Sequence, residues 1–335
     1  MGQFKTLGRR TCAITAAAAA AVTAAGGILT PVLAQATISG AGASFPAPFY
    51  QRAFAGVASK VRVNYQSVGS GAGVRQFVAG SVDFGATDEP IKGSEAAKVK
   101  RGVVQFPAVG GTIAVAFNKA DCAKLNLTQK QVVDIFLGKI KTWEQLRCGK
   151  GPLKVVHRSD GSGTTFAFTN SLSAFSPEWK SKVGEGKAVK WPVGVGGKGN
   201  EGVAAVINNT PGAIGYLNQA FVKGKIKAAA LQNRAGKFVM PTKASGAAAL
   251  NNIRLDGNLA GEDPNPGGAN SYPISTLTWI LAYRSGNGAK APAIRQALNH
   301  LLSPAAQNQA SSLGYVPLEG NILNQAKKAV GQIGN

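Results

Sequence analysis

From Thr37 onward the sequence alternates short β-branched runs with stretches of helical pattern, and that alternation leaves few folds open. The runs at 61–65, 103–106, 112–117 and 153–157 predict strands. The segments 73–79, 129–137, 164–173, 201–208, 291–302 and 323–330 predict helices. Strands separated by helices put helical cover on a sheet, which is an α/β architecture. A chain of 335 residues, 44% of them hydrophobic, is long enough for two such domains with cores of their own. No repeat of fixed period is present. The stretch 257–268, with Asp263-Pro264-Asn265-Pro266-Gly267-Gly268, reads as a surface loop.

Residues 1–36 have the three parts of a signal peptide. Lys5, Arg9 and Arg10 form a positive start, an Ala-rich apolar stretch runs over 13–33, and Ala34-Gln35-Ala36 fits the A-x-A cleavage pattern. Pro31 interrupts the stretch, which argues against a membrane-spanning helix. The residues after Arg9-Arg10 fit a twin-arginine signal poorly, so ordinary secretion is the expectation, and Cys12 is badly placed for lipidation after cleavage. The mature chain then begins near Thr37, soluble and in the periplasm. Two cysteines remain, Cys122 and Cys148. In an oxidising compartment such a pair reads as a disulfide; two separate buried thiols are the alternative. His157 and His300 are the only histidines and offer no metal-ligand cluster.

Lysine and arginine outnumber the acids 37 to 15, a charge of +22. Loss of the three leader cations leaves 34 against 15, or +19. Such a charge concentrates anions of every kind. Aromatics are 7% and are not interleaved with basic residues, so the stacking platforms of a single-strand nucleic-acid binder are missing.

The strongest local signal is the strand at 153–157 running through Arg158-Ser159-Asp160-Gly161-Ser162-Gly163-Thr164 into a helix. Free N–H groups at a helix start favour an anion, Ser162 and Thr164 add hydroxyls, and Arg158 adds a fork of donors that Asp160 is placed to brace. A helix cap with a surface ion pair accounts for the same residues. Gly69-Ser70-Gly71-Ala72-Gly73 is a second strand-to-helix turn; Val74 stands where a dinucleotide fingerprint needs its last glycine, and a plain tight turn is the alternative. Gly196-Gly197-Lys198-Gly199 fails as a nucleotide phosphate loop, because Gly199 replaces the Ser or Thr and Pro192 the first glycine. Gly40-Ala41-Gly42-Ala43-Ser44-Phe45-Pro46 is a weaker turn in which Ser44 offers a donor. Asp88 follows a predicted strand and, as an acid in a turn, is ordinarily a solvated cap. In an anion site it makes sense only if the anion carries a proton. No nucleophile elbow is present, and no catalytic constellation forms around either histidine.

Taken together, these turns resemble the phosphate-binding proteins of bacterial ABC-type phosphate importers, the PstS family. The pieces that carry the resemblance, in order, are 40–48, Val63-Asn64-Tyr65-Gln66 with Gly69-Ser70, 82–88, 136–143, 160–164, Trp191-Pro192, 196–200 and 211–216. The resemblance implies a two-lobed periplasmic-binding-protein fold of type II, with hinge-connected lobes closing on phosphate in the cleft between them. It implies lobe I over 37–115 and 273–335, lobe II over 116–272, and crossings near 112–117 and 275–283. Carried over by motif, the contacts are Ser44, Phe45, Ser70 and Asp88 from one lobe. Arg158, Ser162, Gly163 and Thr164 come from the other, with Asp160 supporting Arg158. Ser44 stands where the family often has Thr, and Ser159 where Ala is commoner. The implied function is capture of inorganic phosphate for the permease and ATPase of an importer, by a monomer without catalysis, cofactor, metal or nucleic acid. A secreted phosphatase and a basic adhesin are the alternatives.

Overall fold

The computed structural model describes residues 35–335; the signal-peptide segment, with Cys12, lies outside the described residues except for Gln35 and Ala36. In chain order the elements that build the site are β1 (Ala36–Gly42), α1 (Ala47–Ala55), β2 (Val61–Ser67), α2 (Ser70–Val78), β3 (Phe84–Thr87) and β4 (Val103–Asn118). They continue with β5 (Lys154–Arg158), α3 (Gly163–Phe175), β6 (Val195–Gly197), α4 (Gly199–Asn209), β7 (Ala213–Asn218) and β8 (Ser275–Tyr283). The strands form one sheet in the order β2-β1-β3-β8-β4-β7-β5-β6, with Lys227–Ala228 also paired to β4.

The sheet is one pattern used twice. β1 is flanked in parallel by β2 and β3, and β5 is flanked in parallel by β6 and β7. Each third strand then meets an antiparallel neighbour: β3 meets β8, and β7 meets β4. β4 joins the halves. Val103 to Thr112 pair with β8, and Ile113 to Asn118 pair with β7. Fifteen of its sixteen residues are buried, as are all nine of β8, which marks both as central strands.

The sequence predicts two strands where β4 is one, because Pro107 and Gly110-Gly111 read as breaks. The register of β8 against β4 shifts between Thr278 and Trp279, beside Pro107, and this irregularity accommodates a residue with no N–H to give the ladder. Elsewhere the predicted elements differ mainly at their ends. α2 begins at Ser70 rather than near 73, since Gly69 at φ 85° turns the chain straight into the helix. α1, opened by Pro46-Ala47-Pro48, has no counterpart in the pattern reading; its buried face of Phe49, Tyr50, Ala53 and Phe54 packs on the core. Cys122 and Cys148 are joined by a disulfide, their Cα atoms 5.0 Å apart.

Candidate functional site

Each half of the sheet sends its turns out from the carboxyl ends of its parallel strands, the place where open α/β sheets bind ligands. From the first half come the turns after β1, β2 and β3; from the second come those after β5 and β6.

After β1, Ser44 and Phe45 sit in a turn held from behind. The Tyr65 hydroxyl donates to the Ala43 carbonyl at 2.7 Å, and the Tyr315 hydroxyl donates to the Phe45 carbonyl at 2.6 Å. Burial pushes both phenols well above their ordinary range, so they remain protonated donors. The Phe45 ring lies edge-on to Tyr315 in the core, which leaves backbone as the part of Phe45 available to the site. Ser44 Oγ accepts from the Asn200 backbone N–H at 2.9 Å and from its side-chain amide at 3.0 Å.

After β2, Ser70 opens α2, and its Oγ accepts from the Asp88 N–H at 3.3 Å. Gly69 is required here: besides its positive φ, a Cβ would come within 2.1 Å of an Asp160 carboxylate oxygen. Asp88 itself is 1% exposed. Its Oδ2 accepts from the Thr164 hydroxyl at 3.1 Å, whereas Oδ1 has no partner among the described residues.

After β5, Arg158 grips Asp160 with two donors, Nε at 2.8 Å and Nη2 at 2.6 Å, while buried Nη1 has no partner among the described residues. Burial works against the Asp160 charge, but hydrogen bonds from Arg158 and the Gly199 N–H outweigh it and hold the carboxyl below its usual range. Ser162 caps α3, its Oγ accepting from the Thr165 N–H at 3.0 Å. Gly163 fits so tightly that a Cβ would stand 2.6 Å from the Asp88 nitrogen and 2.7 Å from Ser70 Oγ. Ser44, Ser70, Asp88, Arg158, Ser162, Gly163 and Thr164 thus converge from distant parts of the chain, with Asp160 behind Arg158.

The sequence reading missed Asn200. This buried amide links the two halves, donating to Ser44 and to Thr164 Oγ1 at 3.1 Å and accepting from the Asn218 N–H at 2.8 Å. The only signal is its position after the Gly-Gly-Lys-Gly turn that starts α4. Tyr216 was also missed; its hydroxyl accepts from the Arg158 N–H at 3.2 Å and lies 2.6 Å from Thr165 Oγ1. His157 stacks on Trp191, with ring centroids 5.0 Å apart, and its Nδ1 lies 3.0 Å from the Arg158 carbonyl.

The arrangement can hold a small tetrahedral anion bearing at least one proton. Arg158 Nη1 and the hydroxyls supply donors, and Asp88 Oδ1 is an acceptor that only an incoming O–H can satisfy. Burial raises the Asp88 carboxyl to about 6, opposed by the nearby Thr278 hydroxyl, the Arg158 charge and the Thr164 bond. A carboxyl raised in the folded state destabilises once ionised. Below about pH 4 it is protonated in both states and costs nothing. As pH rises from about 4 to above 6, this contribution to stability falls by about 3 kcal/mol and then stays constant. Asp88→Asn removes the charge, so ligand-free Asp88→Asn is expected to be more stable than wild type at pH 7.5, with most of the difference gone at pH 4. Urea unfolding of both proteins at the two pH values checks this. A variant no more stable than wild type at pH 7.5 contradicts the account.

Residues 18–305 match the family described as the PBP superfamily domain. The phosphate-binding protein PstS of Pasteurella multocida is 41% identical over 309 residues, covering 86% of this chain and 88% of its own. The protein of the same name from Xylella fastidiosa strain Temecula1 is 42% identical over 306 residues, covering 86% and 83%. Among solved structures, a putative phosphate ABC transporter substrate-binding protein with bound phosphate, from Clostridium perfringens, is similar in fold. Its TM-score is 0.63 at 20% identity, covering 84% of this chain and all of that one.

Proposed function

This chain belongs to the PstS phosphate-binding proteins of the PBP superfamily, and from that premise we propose that it captures inorganic phosphate outside the cytoplasm and delivers it to an ABC-type importer. The observation that carries the reading is a pair of buried, unpartnered atoms of opposite character, the Arg158 Nη1 donor and the Asp88 Oδ1 acceptor. Buried polar groups are ordinarily satisfied, and a protonated oxyanion completes both at once. At neutral pH phosphate has oxygens for Arg158 and at least one proton for Asp88.

The ligand shell in this reading is Ser44, the Phe45 backbone, Ser70, Asp88, Arg158, Ser162, Gly163 and Thr164. The lobes are 37–115 with 273–335, and 116–272. The division of β4 between two strand partners supports a boundary inside that strand. Export follows from the leader-like segment 1–36. Binding without turnover is supported by the placement of His157, which stacks on Trp191 and lies against the Arg158 carbonyl rather than a site hydroxyl. The test is calorimetry of the mature protein with inorganic phosphate after removal of copurified ligand. Stoichiometric, tight binding is expected, and no heat of binding would overturn the reading.

Because each lobe supplies part of the shell, phosphate binds the closed form better and shifts the population toward it. Small-angle scattering is expected to give a smaller radius of gyration with phosphate than without. An open form that keeps its radius at a saturated site would remove hinge closure from the account.

A further inference from the structure

Beside the site, on the edge where Asp88 meets Gly163, the two halves of the protein are joined by charge. Lys187, in the connection between α3 and β6, places Nζ 3.1 Å from Glu89 Oε2 and 3.4 Å from Glu95 Oε2, both on the segment after β3. Its side chain is only 18% exposed, and that of Glu89 is 10%. Lys187 is also tied to the ligand turn by its backbone, since its carbonyl accepts from the Ser162 N–H at 2.8 Å. On the other side of the pair, Lys92 lies 3.1 Å from Glu89 and sits over the Phe166 ring of α3 at 5.0 Å.

Glu89 is a nearly buried negative charge directly after Asp88, at a site built for an anion. Unpaired, it would repel the ligand and pay heavily in desolvation. Lys92, on the same segment, faces Glu89 Oε1 in either state, and Lys187 adds a cation on Oε2 only when the halves are together. Neither residue is in the ligand shell proposed above. We propose that Lys187, paired with Glu89 and Glu95, is the latch that holds the closed form and sets how slowly the bound anion leaves; the proposal rests on the phosphate-capture reading.

The latch acts on release rather than on capture. The mature chain carries +19, so losing one cation changes the field that draws phosphate in only slightly. A contact made only in the closed form has its effect on opening.

The experiment loads wild type and variants with radiolabelled inorganic phosphate and chases with excess unlabelled phosphate. Lys187→Gln is expected to release the label about fivefold faster, with association within about twofold of wild type. Lys187→Arg is expected to restore slow release. Glu89→Gln is expected to release faster as well, and the double variant Lys187→Gln/Glu89→Gln well short of the product of the two single effects, because both remove the Lys187–Glu89 contact. Melting curves establish that the variants are folded. Release from folded Lys187→Gln at the wild-type rate overturns the latch, and so do single effects that multiply in the double variant. Failure of wild type to take up label overturns the capture reading instead.

Discussion

Sulfate is expected to bind at least about ten-thousandfold more weakly than phosphate at pH 8, and Asp88 is the reason. The two anions are close in size and shape, so pocket dimensions do not separate them. At pH 8 phosphate still carries a proton and sulfate carries none. Asp88 is 1% exposed, and its Oδ1 has no partner among the described residues. An ionised carboxylate can only accept; with phosphate it receives an O–H in a short, charge-assisted bond. With sulfate it faces an oxygen that has nothing to give, and two negative groups are left in contact away from water. Sites built to bond a group that an analogue lacks discriminate on this scale. Asp88→Asn removes the charge and offers N–H donors, so sulfate gains strongly while phosphate keeps an acceptor in the amide oxygen. Acid relaxes the rejection too: with its carboxyl at about 6, wild-type Asp88 is protonated by pH 5 and can donate to sulfate. The measurement is titration of wild type and Asp88→Asn with both anions at pH 8 and pH 5, at one ionic strength. Sulfate binding within tenfold of phosphate at pH 8, or a ratio unmoved by Asp88→Asn, contradicts the mechanism.

Arg158→Ala is expected to weaken phosphate binding by about a hundredfold or more. Arg158 is the one full positive charge among the proposed contacts, and its side chain is 1% exposed. A hydrogen bond to a charged group is worth about 1.5–3 kcal/mol, which alone spans from tenfold to beyond a hundredfold. Asp160 adds to the loss. It now uses both oxygens on Arg158 and keeps only the Gly199 N–H when the guanidinium goes. A poorly compensated carboxylate then lies next to the anion. Arg158→Lys restores the charge but not the two-pronged grip on Asp160, and is expected to fall between alanine and wild type. Calorimetry of the three proteins decides it, and alanine binding within threefold of wild type would mean that the anion sits elsewhere.

The turn from Arg158 to Thr164 was legible because its chemistry is local: a strand, small hydroxyl residues and a helix start lie within a few positions. Asp88 was not legible in the same way. An acid in a turn is ordinarily solvated, and only the family resemblance set it apart. What makes it special is its burial and a hydrogen bond from Thr164, 76 residues further along. Asn200 stayed hidden for the same reason, since its bond to Ser44 spans 156 residues. Tyr65 and Tyr315 act through hydroxyls on carbonyls, and nothing in their neighbouring residues marks that role. In the fold, helical and strand periods were readable where they were uninterrupted. Pro107 hid the continuity of β4, and the start of α1 among prolines and aromatics hid that helix.

The placement of β8 has a consequence for biogenesis. β3 and β4 lie on either side of it in the sheet, yet the bond from Thr278 to Thr87 closes across 191 residues of chain. A polypeptide threaded through a membrane N-terminus first delivers β1, β2, β3 and β4 long before the strand that joins them. Until the last quarter of the chain emerges, two apolar strands have open edges, and such edges pair readily with other chains. The N-terminal half therefore cannot finish folding until residues 275–283 have followed it. Truncation before residue 275 is expected to yield an aggregating fragment rather than a half-sized protein.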